Sequence, residues 1–210
     1  MAHAYWYFDF ISPFAYLQFK RFASLTADLQ ITPVPVVFGA LLVNWGQLGP
    51  AEIPTKRRFV YRFFQWNANK QGVPFQMPRK HPFHPLPALR LSVAAGGQIE
   101  QIRAIFEITN WQGIQPDAPE GVAAITRAVG ITDLETAMSD AHVKQALRDN
   151  TEQAITSGVL GVPSFVIDDQ VFWGGNATEI LLDYLDDPAL VQTQEMERIS
   201  EMPMGLTRQS

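Results

Sequence analysis

Ser12 and Pro13 follow directly on an aromatic run, Ala4 to Ile11, and are followed by Phe14 and Ala15. Serine is a favoured N-cap and proline a favoured first helical residue, so the pair predicts a helix start. A group at that place faces unpaired N–H donors and about half a positive charge from the aligned peptide dipoles. A thiolate set there is stabilised. The chain has no cysteine. Ser12 can therefore serve a thiol only by donating its hydroxyl to a thiolate that a ligand brings in; the plain alternative is that it caps the helix and does nothing more. A second candidate is Gly161-Val162-Pro163-Ser164, at the start of a predicted strand, where proline costs no ladder bond. A cis bond before Pro163 would leave the Val162 backbone free to pair with an extended ligand. His81 and His84 are spaced i, i+3 in a proline-rich stretch without a nearby acid cluster, so no metal site is expected. Ser12 lacks the G-x-S-x-G context of a hydrolase nucleophile, and the missing cysteines exclude disulfide exchange.

These residues need a scaffold. Ala4 to Ile11 reads as a buried strand, and Ala15, Phe19, Phe22 and Leu29 recur at helical spacing, which predicts a helix to about Asp28. Thr32 to Phe38 reads as a second strand, placed at a sheet edge by Pro33 and Pro35. Strand, helix and strand in this order form a right-handed βαβ unit. From about Gly39 to Gly158 the pattern is helical, with apolar stripes at Phe59, Phe63, Trp66 and at Ile99, Ile102, Phe106, Thr109. Thr132 and Glu135 fit a capping box. Five prolines make Val73 to Pro87 mostly loop. Strands return at Ser164 to Ile167 and Val171 to Trp173, with Asp168, Asp169 and Gln170 turning between them. Asn176, with Glu179 three residues on, predicts the N-cap of a last helix.

The order βαβ, helices, ββα is the thioredoxin arrangement with a helical insertion, an α/β fold whose sheet is assembled from both ends of the chain. Residues 1–38 and 159–187 would form the thioredoxin-like domain, 39–158 the insertion and 188–210 a polar tail. Of the 210 residues, 47% are hydrophobic and 18% charged, enough for a sizeable core. The net charge of −5 argues against a nucleic-acid partner, which favours a basic face. Neither a signal peptide nor a membrane span is visible, so the expected location is cytoplasmic, with no membrane partner.

The ordered blocks YFDFISPFAYL, FGALL, GPAEIP followed by Lys56-Arg57, HPFHPLPALRL, GVPSFVIDD and VFWGG resemble the 2-hydroxychromene-2-carboxylate isomerases. That family is grouped with kappa-class glutathione transferases and DsbA-like thioredoxin folds, and the resemblance runs from about Tyr5 to Leu185. It implies bound glutathione, a homodimer and an aromatic keto-acid-like substrate. It also implies that Ser12 contacts the glutathione sulfur, that Val162 and a cis Pro163 hold its cysteinyl part, that Gln47 and Lys56 line its site, and that Asn176 meets its γ-glutamyl end. The family reads FWGQDR where this chain reads Phe172-Trp173-Gly174-Gly175-Asn176-Ala177. An amide cannot make the charge pair that an acid makes with the glutathione amino group, and charge-assisted bonds are roughly twice as strong as neutral ones. His84 stands where the family's pattern HPFNP has asparagine.

The basic cluster Lys56, Arg57, Arg58, Arg62 suits a carboxylate substrate, for which arginine offers a bidentate fork; the plain alternative is a solvated helix face. Phe14 and Trp45, aromatic and near the expected site, would line an apolar substrate pocket, with Arg57 and His84 as further substrate contacts. The function implied is glutathione-dependent isomerisation, in which a borrowed thiolate adds reversibly to a conjugated keto acid. A kappa-like transferase acting on another electrophile and a non-catalytic glutathione-binding relative are the alternatives.

Overall fold

The computed structural model describes residues 2–25 and 29–206. Four strands form one mixed sheet in the order β2-β1-β3-β4. The central strand β1 (Ala2–Phe8) pairs in parallel with β2 (Leu29–Pro35) and antiparallel with β3 (Ser164–Ile167), which carries β4 (Gln170–Trp173) on its other side. The sheet thus joins the two ends of the chain, and its βαβ…ββα order is that of a thioredoxin-like α/β fold.

The aromatic run of β1 is explained by burial on both faces. Ala4, Trp6 and Phe8 point into the larger core with Phe19, Leu89 and Phe106. Tyr7 points into a smaller one with Val34, Leu41, Ala154 and Val166. The expected edge position of β2 holds. Val36 donates to Phe8 O, so the even residues of this strand face β1, and Pro33 and Pro35, which have no N–H to offer, turn to the open side. There the Pro35 carbonyl accepts from the Asn150 side chain.

Between β2 and β3 lie α2 (Phe38–Asn44), α3 (Pro54–Gln71), α4 (Leu86–Ala94), α5 (Ile99–Phe106), α6 (Pro119–Ala128), α7 (Leu134–Ser139) and α8 (Ala141–Thr156). After β4 come α9 (Ala177–Asp186) and, within the expected tail, α10 (Gln194–Ser200), capped by Thr193. None of the described helices is long and apolar enough to cross a membrane.

Several local expectations shift. The first strand spans Ala2–Phe8, because the Asp9 carboxylate takes the Ile11 N–H and turns the chain there. The first helix, α1 (Pro13–Phe19), stops with Lys20 as its C-cap; Phe22 packs half-buried against Trp6 from a separate 3₁₀ turn, and the rest of the expected helix, residues 26–28, lies outside the described residues. The second strand begins at Leu29, opposite Ala2, three residues before the expected start. On α3 the stripe Phe59, Phe63, Trp66 stacks along the outer side, while Val60, Phe64 and Ala68 pack inward. Asp133, not Thr132, caps α7 by accepting from Thr136 N. The hairpin turn is Asp168-Asp169, both at positive φ, so Gln170 already belongs to β4.

Candidate active site

The chain between β1 and α1 is fixed by side chains. Asp9 is fully buried and accepts from Ile11 N and from Phe38 N, each at 3.0 Å. Its carboxyl therefore ties the β1–α1 turn to the start of α2. Burial pushes the pKa of Asp9 up to about 7, against the opposing pull of the backbone donors Phe38, Ile11 and Phe10. Ser12, with extended backbone, caps α1 by accepting from Ala15 N at 3.3 Å. The same hydroxyl donates to the Val162 carbonyl at 3.4 Å, across 150 positions of sequence. That bond is long, so a stronger acceptor arriving beside it can take the proton over. The Val162–Pro163 peptide is cis.

Two chambers meet at this point. The first, of about 470 Å³, is lined by Ser12, Phe14, Phe38, Leu42, Tyr61 and His81 among others. Its wall is mainly aliphatic and aromatic, with Glu52 as its acidic member; the Glu52 carboxylate accepts from Gly49 N. The second, of about 310 Å³, is lined by Lys56, Gly161, Trp173, Gly175 and Asn176. Phe14, Phe38, Leu42, Gln47 and Val162 belong to both.

Of the residues singled out in the sequence, Ser12, Phe14, Gln47, Lys56, Val162 and Asn176 thus line this paired cavity. Trp45, Arg57, His84 and Pro163 do not; Pro163 is buried, and its carbonyl accepts from Gly174 N at 2.8 Å. Trp45 packs its indole N–H onto Val159 O at 2.9 Å, bracing the chain before Val162. Arg57 is exposed on α3, where its charge lowers the pKa of Tyr61 against a larger upward push from burial. His84 is exposed, and its backbone N–H is held by Asp117. Asn176 stands at the N-cap of α9, yet its side chain makes no cap bond, because its backbone is already helical rather than extended. The amide is exposed at the second chamber and available to a ligand.

Sequence reasoning missed Asp9, Tyr61 and Gln18, and it weighed His81 only as a metal ligand. Gln18 lies on the buried face of α1, accepting from Trp6 Nε1 and donating to Gly174 O and Thr178 Oγ1. It fixes the loop that carries Asn176. The paired glycines at 174 and 175 keep that loop thin, which was the available signal for a close approach there.

Comparison with known proteins places these features in context. Residues 5–186 match the family model of the DSBA-like thioredoxin domain. The chain is 25% identical over 177 residues to a 2-hydroxychromene-2-carboxylate isomerase of Pseudomonas putida, covering 81% of this chain and 87% of the relative. It is 25% identical over 207 residues to glutathione S-transferase kappa 2 of Caenorhabditis elegans, covering 87% and 91%. The solved structure of a 2-hydroxychromene-2-carboxylate isomerase superposes with a TM-score of 0.76 at 21% identity, over 92% of this chain and 98% of that one.

Proposed function

The chain belongs to the DSBA-like thioredoxin domain family, and from that premise we propose that it binds glutathione across the two chambers and uses it as a thiol cofactor in isomerising a conjugated, aromatic keto-acid-like substrate. The observation that carries this reading is the Ser12 hydroxyl, which lines the first chamber and donates to Val162, a residue both chambers share, in a protein with no thiol of its own. The donor set fits a tripeptide with two carboxylates, an amine and a thiol. Lys56 offers a cation to a carboxylate, Asn176 and Gln47 offer amides, and Val162 offers backbone. Bound glutathione would supply a thiolate able to add to a conjugated double bond and leave again, so that rotation can occur between the two steps.

The chain's own residues do the rest. Ser12 donates its hydroxyl to the sulfur instead of to Val162 O. The aligned peptide dipoles at the start of α1 favour negative charge at the same place. The apolar wall of Phe14, Phe38 and Leu42 excludes water from the reacting atoms. A homodimer in the cytoplasm is the setting this reading implies.

A second reading, a kappa-like transferase acting on an uncharged electrophile, is supported by the first chamber itself. Arg57, the candidate partner for a substrate carboxylate, is turned to solvent, and Glu52 gives the wall a negative member. The experiment is Ser12→Ala with the ultraviolet absorbance of the thiolate as readout. Losing a charge-assisted hydrogen bond worth about 1.5–3 kcal/mol raises the pKa of the bound thiol by about one to two. An unchanged thiolate titration overturns the role of Ser12. Turnover of 2-hydroxychromene-2-carboxylate supports the isomerase; conjugation of a neutral aromatic halide without isomerisation supports the transferase.

A further inference from the structure

We infer that His81, held by Tyr61, is a positioning residue that sets the Ile11–Ser12 peptide and through it the direction in which Ser12 presents its hydroxyl. The inference rests on the reading of Ser12 as the thiol contact. Every polar group around that peptide is engaged. The Ile11 N–H donates to Asp9 Oδ1 at 3.0 Å, and the Ser12 N–H donates to the Asp9 carbonyl at 3.1 Å. Both of these bonds come from within the turn. The Ile11 carbonyl instead lies 2.7 Å from His81 Nε2, a side chain 70 positions away in the proline-rich segment. That contact ties the turn to the proline-rich segment of the insertion.

The direction of the bonds follows from chemistry. A carbonyl only accepts, so Nε2 carries the hydrogen. Burial holds the imidazole below its ordinary pKa, which leaves Nδ1 as an acceptor at neutral pH. Tyr61 Oη, on α3, lies 2.8 Å from Nδ1 and 2.7 Å from the carbonyl of His81. The Ile11 carbonyl thereby selects the tautomer, and the one phenol O–H, shared between two acceptors, holds the ring to the backbone that carries it. Outer partners orient metal-ligating histidines by the same logic. Tyr61 and His81 line the first chamber together with Ser12. The chain Tyr61, His81, Ile11 thus runs along the wall of the cavity and ends on the residue before Ser12. A hydrogen bond to sulfur depends on direction, and small misplacement of a reacting group is costly.

The test uses the full chain and three variants: His81→Leu, which removes the donor; His81→Gln, whose amide N–H can reach the same carbonyl; and Tyr61→Phe, which keeps the ring and loses the hydroxyl. The first readout needs no glutathione. The Ser12 amide belongs to the peptide whose oxygen His81 holds, so its nitrogen resonance reports that bond. It should shift strongly in His81→Leu and Tyr61→Phe and return toward wild type in His81→Gln. If His81→Leu does not fold, Tyr61→Phe carries the same readout. The second readout is functional. The turnover rate at saturating glutathione should fall roughly 10-fold in His81→Leu, on the scale of lost outer partners, and recover in His81→Gln. An unmoved Ser12 amide in the variants overturns the inference whether or not glutathione binds. A moved amide with an unaltered thiolate fraction on bound glutathione overturns the link to the thiol. A wild-type chain that ignores glutathione while its Ser12 amide follows His81 overturns the functional reading and leaves the positioning role in place.

Discussion

Asp9 makes the stability of this protein depend on pH in a direction opposite to that of most carboxylates. The group is fully buried, and its pKa rises from the ordinary 3.8 to about 7. Between those two values the native state holds a proton that the unfolded chain has released. Raising the pH through that window therefore favours unfolding. The shift is about 3 pKa units at roughly 1.4 kcal/mol each, so about 4 kcal/mol of stability present below pH 4 is lost by pH 7. Above pH 7 both states are ionised and the loss is complete. Replacing Asp9 by asparagine removes the titration while keeping size and one acceptor. Urea unfolding of wild type and Asp9→Asn at intervals from about pH 4 to 8 gives the difference in stability at each pH. That difference should move against wild type by about 4 kcal/mol across the window and then level off. A flat difference curve refutes the argument, and it would mean that the N–H groups of Ile11 and Phe38 compensate the buried charge fully.

Three further outcomes test the geometry of the site. Asn176→Asp restores an acid to a side chain that is free of any capping bond, and a charged bond exceeds a neutral one by about 1 kcal/mol; glutathione should bind about fivefold tighter by calorimetry, with the gain fading in high salt. Gly161→Ala puts a Cβ 2.7 Å from Trp173 Nε1, and this exposed indole can swing aside; glutathione binding should weaken while urea stability stays within about 0.5 kcal/mol of wild type. Gln18→Leu leaves the buried Trp6 indole N–H without its acceptor, at a cost of about 1–3 kcal/mol, seen as a fall in Tm of roughly 2–10 °C.

The features legible in the sequence were those set by neighbours along the chain. Ser12-Pro13 marked the start of α1, and Pro33 and Pro35 marked an edge strand, because caps and missing donors act locally. The end of α1 was not legible. Phe22 kept the helical period and is packed against Trp6, but a tight turn brings it there as well as a helix would. Asp9 was invisible as an anchor because the Phe38 N–H lies 29 positions away. His81 was weighed with His84 only as a metal pair, which the proline-rich loop argued against, while its partners are Tyr61 and a carbonyl 70 residues back. Trp45 is close in sequence to the site and aromatic, yet its ring is committed to Val159. On α3 the apolar residues outnumber the positions that face inward, so periodicity alone chose the outer stripe.

The bond from Ser12 to Val162 also has a consequence in time. Ribosomes add roughly 5–20 residues per second, and 150 positions separate the two partners. A nascent chain therefore carries Ser12 for roughly 8–30 s before Val162 is made. Through that interval the sheet lacks β3 and β4, and the chamber holding Asn176 does not exist. A ligand that bridges both chambers can reward only a chain that has passed Asn176, so its stabilising effect falls on completed molecules and not on truncated ones. In a cell, binding at this junction would act as a check on completeness, protecting whole chains from proteolysis and leaving interrupted ones exposed.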